Sequence, residues 1–162
     1  MSAATRNQTS IVVDPNLPTV QIIREFDAPV ADVWRAHTDP ELYAQWIGPR
    51  SIDTKIENWD CRTGGSWRYV GSRDEDEFGF YGSFHEVRPE ELIVQTFTYE
   101  GFRDGVSLET LAFEDLGGGR CRLTALSLVD TIEGRDAFVA SGMESGVIEG
   151  YEQLDELLEK MS

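Results

Sequence analysis

The chain has 162 residues, 40% of them hydrophobic, and fourteen basic against thirty acidic side chains leave a formal net charge of −16. That length suits one domain around one core, and no run of about 18 uncharged apolar residues is present to cross a bilayer. The acidic field repels phosphate backbones and anionic lipid surfaces, which argues against nucleic acid as a partner and against membrane insertion.

Residues 1–10 are polar and lack the basic start, apolar middle and small-residue cleavage site of a secretory signal. Residues 1–18 are therefore expected to form a disordered or extended tail, with one domain over 19–162 and a cytoplasmic location. Cys61 and Cys121 are the only cysteines. They are too few for a disulfide framework and lack the paired spacing of a zinc site, so both read as free thiols, with no metal and no cofactor implied. Lys55 and Lys160 are the only lysines among the cations, a bias that fits either a high-GC genome or a salt-adapted cytoplasm.

Thr19 to Phe26 is rich in β-branched residues and predicts a strand that runs, through Asp27-Ala28-Pro29, into a helix opened by the proline. Val30, Val33, Trp34 and His37 then recur at helical spacing on one face. Asp39-Pro40 caps a second short helix whose apolar side is Leu42, Tyr43, Trp46 and Ile47, and Gly48-Pro49 ends it. From Ser51 to about Val129, short β-type runs alternate with turn signals, predicting an antiparallel meander of about six strands. The clear ones are Trp67 to Val70, Phe78 to Val87, Leu92 to Tyr99, Val106 to Phe113 and Arg120 to Leu128. Beyond Glu133 one long helix is expected to the end, with Val139, Met143, Val147, Tyr151, Leu154, Leu158 and Met161 in a single stripe. Strands bracketed by helices, without parallel crossovers, place the chain in the α+β class.

Three features of this pattern bear on chemistry. Gly142, Gly146 and Gly150 fall at intervals of four within the expected helix, where each costs about 1 kcal/mol relative to alanine. They either let backbones pack closely, the favoured reading, under which Gly146→Ala destabilises, or leave volume for a ligand. The aromatics concentrate around the first half of the meander; singly each reads as core, and together they fit the lining of a concave apolar pocket. His37 and His85 are the only imidazoles, far apart in sequence and without a nucleophile motif, so His37 reads as a packing residue and no catalytic constellation is visible. Asp74-Glu75-Asp76-Glu77 reads as a solvated hairpin tip, and Gly117-Gly118-Gly119 as a strand connection.

The motifs REFDAPVADVWRAHTDPELYAQWIGP, GGSWRYV, FGFYGSFHEVRPEEL, GGGRCRLT and SGMESGVIEGYEQLDELL occur in this order. In them the chain resembles the bacterial branch of the SRPBCC (START-like, Bet v-like) superfamily named after the activator of the ninety-kilodalton heat-shock protein ATPase. The resemblance implies a helix-grip fold: a curved antiparallel sheet of about six to seven strands wrapped around the long C-terminal helix, with two short helices after the first strand. It also implies a cavity between sheet and helix where relatives bind lipids, polyketides or other apolar molecules. Matched residue by residue, it places Trp46, Trp67, Tyr69, Phe80, Phe84, Phe97, Met143 and Val147 near that cavity, and makes His85 with Tyr69 the pair to test for catalysis.

The expected function is binding of a small apolar or amphipathic ligand, without catalysis. The alternatives are a polyketide cyclase-like or hydrolase-like enzyme in the same cavity, or a protein-interaction or co-chaperone module. Eukaryotic co-chaperones of this resemblance carry a second, chaperone-binding domain for which this chain is too short. The expected partner is a small hydrophobic or amphipathic molecule, and a homodimer is left open.

The charge balance itself generates a test. Self-repulsion among excess carboxylates destabilises the compact state at low ionic strength. The melting temperature is expected to rise between about 10 mM and about 500 mM sodium chloride, as the Debye length falls from about 30 Å to a few ångströms. A flat or falling curve would show that the acidic residues are locally paired, and would remove the ground for a salt-adapted source.

Overall fold

The computed structural model describes residues 7–162. Eight strands form one antiparallel sheet in the order β1-β2-β8-β7-β6-β5-β4-β3. They are β1 (Ser10–Val13), β2 (Thr19–Phe26), β3 (Asp53–Trp59), β4 (Ser66–Arg73), β5 (Asp76–Arg88), β6 (Leu92–Tyr99), β7 (Ser107–Gly117) and β8 (Arg120–Leu128). Two helices, α1 (Val30–Thr38) and α2 (Pro40–Tyr43), follow β2, and two more, α3 (Ile132–Ala140) and α4 (Met143–Met161), end the chain. Among the described residues, no helix is long and apolar enough to cross a membrane.

The α+β helix-grip architecture is as expected, but the sheet has eight strands and not six to seven. One strand lies outside the expected meander, and another, within its span of about six, was not among the clear runs. Ser10–Val13 lies in the segment taken as a disordered or extended tail; it is extended and pairs with β2 as an edge strand. Residues 1–6 of that segment lie outside the described residues. Asp53–Trp59 forms the opposite edge, and its mixed composition, with a register shift between Ile56 and Asn58, broke the alternation that would have marked it.

In β2 the strict alternation buries Val20, Ile22, Arg24 and Phe26 on one face. Pro29 opens α1, and its inner side buries Val33, Ala36 and His37. The Asp39 carboxylate accepts a hydrogen bond from the Glu41 backbone N–H at 3.0 Å and so starts α2. Two tryptophans then tie this helical connection down. Trp46 Nε1 donates to the Ala36 carbonyl at 2.9 Å, and Trp59 Nε1 donates to the Thr38 carbonyl at 2.7 Å. Register shifts in β5, between Phe84 and Glu86, and in β7, between Asp115 and Gly117, interrupt the ladder where the sheet bends.

The expected single C-terminal helix is two helices. Ser141 caps α3, and Gly142, with φ +92°, takes the left-handed conformation that only glycine adopts freely before α4 begins. Val139 of the expected stripe therefore belongs to α3. In α4 the C-terminal half carries the packing: Tyr151, Leu154, Leu157 and Leu158 are buried. Buried Arg24 holds this half to the sheet through Asp155, with Nη1 to Oδ1 at 3.1 Å, and lies over the Phe26 ring. At the other end of the sheet, buried Arg135 of α3 donates from Nη1 to the carbonyls of Asp14, Leu17 and Thr19 at 2.8–2.9 Å, fastening the β1–β2 connection.

The three glycines thus have three different roles, which corrects the expectation of one close-packed edge. Gly142 is a left-handed hinge. A methyl at Gly146 would meet only Pro49 Cδ, at 3.7 Å. A methyl at Gly150 would sit 3.2 Å from the Trp46 carbonyl oxygen and about 3.5 Å from Gly48, in a segment whose Gly48 carbonyl accepts from Gln153 Nε2 at 2.8 Å. Gly146→Ala is therefore expected to stabilise the ligand-free protein by about 0.5–1 kcal/mol through helix propensity. Gly150→Ala is expected to lose that gain to overpacking of about 1–3 kcal/mol. Chemical denaturation of both variants checks the order, and a Gly150→Ala protein more stable than Gly146→Ala would contradict it.

Candidate functional site: a cavity between sheet and helix

The N-terminal half of α4 does not reach the sheet, and a cavity of about 740 Å³ lies between them. That volume is in the range of small-molecule sites. One wall comes from α4 and its approach: Met143, Gly146, Val147, Gly150 and Tyr151. The turn after α2 adds Trp46, Ile47, Gly48 and Pro49. The concave face of the sheet adds Trp59, Trp67, Tyr69, Phe80, Phe84 and Phe97 in its β3-to-β6 half, and Ile22, Glu109, Leu111, Ala125 and Ser127 in the other.

All eight residues expected near the cavity, Trp46, Trp67, Tyr69, Phe80, Phe84, Phe97, Met143 and Val147, are in this lining. Trp46, Trp67, Tyr69 and Phe84 are also buried core, while Phe80, Phe97, Met143 and Val147 are partly buried. Ring contacts connect most of the aromatic wall. Trp67 stacks on Tyr69 at 5.4 Å and touches Phe97 at 5.5 Å; Phe80 lies 5.2 Å from Tyr69 and 5.5 Å from Phe97. Tyr43 joins this set to the helical side, 5.0 Å from Trp59 and 5.3 Å from Trp46, and Trp46 stacks on Tyr151 at 6.0 Å. Each ring braces its neighbour, so the wall is stiff without being filled.

The polar groups are the part that sequence reasoning missed. Gln95, Glu109 and Ser127 are direct cross-strand neighbours on β6, β7 and β8. Their side chains form a row across the cavity wall: Gln95 Nε2 donates to Glu109 Oε1 at 3.0 Å, and Ser127 Oγ donates to Glu109 Oε2 at 3.2 Å. Burial pushes the Glu109 carboxyl above its ordinary range, against the opposing pull of those two hydrogen bonds. Burial likewise raises Tyr43, Tyr69 and Tyr151, and the Glu109 charge adds to the shift of all three. The signal in the sequence was a glutamate set in SLETLAF, a strand otherwise suited to burial, and its partners on neighbouring strands required the register to be known.

The two histidines separate. His85 is exposed on β5 and lies outside the cavity lining, whereas Tyr69 is buried within it, so the pair singled out for catalysis does not assemble. His37 is the one in the lining. It packs edge-on against Trp46 and Phe113, and its Nδ1 lies 2.7 Å from the Val33 carbonyl, which assigns the proton to Nδ1 and leaves Nε2 enclosed without a partner. The acidic residues 74–77 are exposed at the β4–β5 turn, and among the described residues no group of three or more histidine, cysteine or acidic side chains is placed to hold a metal. Cys61 and Cys121 are free thiols.

Burial lowers the His37 pKa from 6.5 to about 4. As pH falls through 6.5 the unfolded imidazole takes up a proton that the folded one refuses, so stability from this group declines between pH 6.5 and 4, by roughly 3 kcal/mol in total. Glu109, with a raised pKa, acts in the opposite sense, so the His37 contribution is read by comparison with His37→Gln. Nuclear magnetic resonance of the wild-type ring is expected to show no titration above about pH 5. A ring titrating near its ordinary value would contradict the enclosed, neutral imidazole.

Residues 27–159 match the family model for Activator of Hsp90 ATPase homolog 1-like protein. No protein of curated function matches the chain. Among solved structures, a protein from Arthrobacter aurescens is 26% identical with a TM-score of 0.86, over 93% of this chain and 91% of that one. A protein from Rhodobacter sphaeroides is 27% identical with a TM-score of 0.85, over 94% and 99%. Protein Ms6760 from Mycobacterium smegmatis, at 24% identity and a TM-score of 0.84, shares the fold. With its sheet, its C-terminal helix and a family match over most of its length, the chain belongs to the Activator of Hsp90 ATPase homolog 1-like family.

Proposed function

We propose that this protein binds one small apolar or amphipathic molecule in the cavity between the sheet and α4, acting in the cytoplasm as a carrier or sensor without chemistry of its own. The observation that supports this most is the cavity itself. About 740 Å³ stands open behind aromatic walls in a fold that otherwise packs its helices onto the sheet. Leaving such surface unfilled forfeits dispersion contacts, which a bound molecule restores. Native mass spectrometry of gently purified protein tests this directly, with a retained small molecule as the expected result. An empty protein that instead captures a chaperone would favour an interaction module.

The eight expected residues are proposed as the contact surface for that molecule, with Val147 on the helix side and Trp67 and Phe97 on the sheet side. Val147→Trp adds a large ring where α4 stands off, next to open space at Gly146. The variant is expected to keep native circular dichroism and to lose about tenfold or more in affinity for an apolar fluorescent probe, a change of about 1.4 kcal/mol. Unchanged probe binding would place the binding surface elsewhere.

A further inference from the structure

The cavity wall carries a buried carboxyl group with no cationic side chain paired to it among the described residues. Glu109 is held by a side-chain amide and a hydroxyl, both neutral donors, and among the described residues it makes no ion pair. The other ionisable groups of the lining do not supply a cation beside it. His37 is neutral near pH 7 and its Nε2 carries no proton to donate. Tyr43 on α2, Tyr69 on β4 and Tyr151 on α4 face the same space and stay protonated. Arg73 is exposed and lies over the Phe78 ring, and Glu149 accepts from the Arg50 backbone N–H. Burial favours the neutral form of such a carboxyl, the direction in which Glu109 is shifted, and a cation seated beside it would hold it ionised.

We propose that the ligand of this cavity is a cationic amphiphile, a protonated amine on an apolar body, whose ammonium seats on the Glu109 carboxylate. Three independent features agree on the sign. Glu109 offers an acceptor held in fixed orientation by Gln95 and Ser127. The lining is rich in aromatic rings, Tyr43, Trp46, Tyr69 and Tyr151 among them, the residue type that attracts cations in desolvated sites. The net charge of −16 attracts cations and repels anions around the protein as a whole. The same features reject a fatty acid, whose carboxylate would meet Glu109 as a like charge. This inference rests on the binding reading above and names the chemical class of the ligand.

Decylammonium, decanol and decanoate share one apolar chain and differ in head group, so calorimetric titration of the wild-type protein with each isolates the charge. Decylammonium is expected to bind at least about tenfold tighter than decanol, and decanoate weaker than decanol. Glu109→Gln, which keeps shape and removes charge, is expected to bring the amine-to-alcohol affinity ratio to about one. Equal binding of amine and alcohol by the wild type, tightest binding of decanoate, or an unchanged ratio in Glu109→Gln would overturn the cationic ligand while leaving apolar binding in place. Failure of all three compounds to bind would overturn the binding reading and this inference together. The wild-type comparison decides the matter even if the variant does not fold.

Discussion

Everything in this structure depends on α4 being anchored at one end and held off the sheet at the other. The anchor is the buried Arg24 guanidinium, reaching from β2 to Asp155 over the Phe26 ring, beside Leu154, which is fully buried. A buried guanidinium left without its partner is costly, so this directional pairing sets where the helix sits against β2. Within about one and a half turns before Asp155 the contacts change. The turn after α2 inserts Trp46 through Pro49 beneath the helix, with Gly150 allowing the close approach and Gln153 bonding to the Gly48 carbonyl. Beyond that wedge the helix has only half-buried side chains, Met143 and Val147, to offer the sheet. The cavity is the consequence.

The opposite wall is rigid for reasons of its own. Its rings touch one another edge-on, tilted or stacked at 5–6 Å, and Trp46 and Trp59 are further tied by hydrogen bonds to the α1 backbone. A wall of mutually braced rings does not collapse into the void, because each rotation would break contacts with a neighbour. Across it runs the row of Gln95, Glu109 and Ser127. The cavity therefore combines a broad, sequence-tolerant apolar surface with one directional polar point, the arrangement by which small-molecule sites fix orientation.

Much of this was legible in the sequence. The β-branched run Thr19 to Phe26 and the helical spacing of Val30, Val33 and His37 identify elements that the structure contains. The sheet residues among the eight came from matching a family pattern, because the imperfect alternation of their strands does not fix which face points inward, whereas Met143 and Val147 also fall in the helical stripe. What the sequence hid depends on contacts between distant segments. The edge strands Ser10–Val13 and Asp53–Trp59 are defined by their partners rather than by composition. Gly142 reads as part of a helical series until its left-handed backbone is seen. Glu109 looks like an ordinary polar strand residue until register sets it between Gln95 and Ser127.

Binding in the cavity requires a small molecule to enter between the aromatic wall and the lifted end of α4. The four tryptophans form a built-in reporter set, since Trp46, Trp59 and Trp67 line the cavity whereas Trp34 packs outside it, 5.1 Å from Phe113. Titration of labelled protein with an apolar ligand, followed through the indole N–H resonances, reads all four at once. Saturable shifts are expected for Trp46, Trp59 and Trp67, with Trp34 nearly still. Shifts confined to Trp34, or no saturable shift in any of the four, would contradict binding in the cavity.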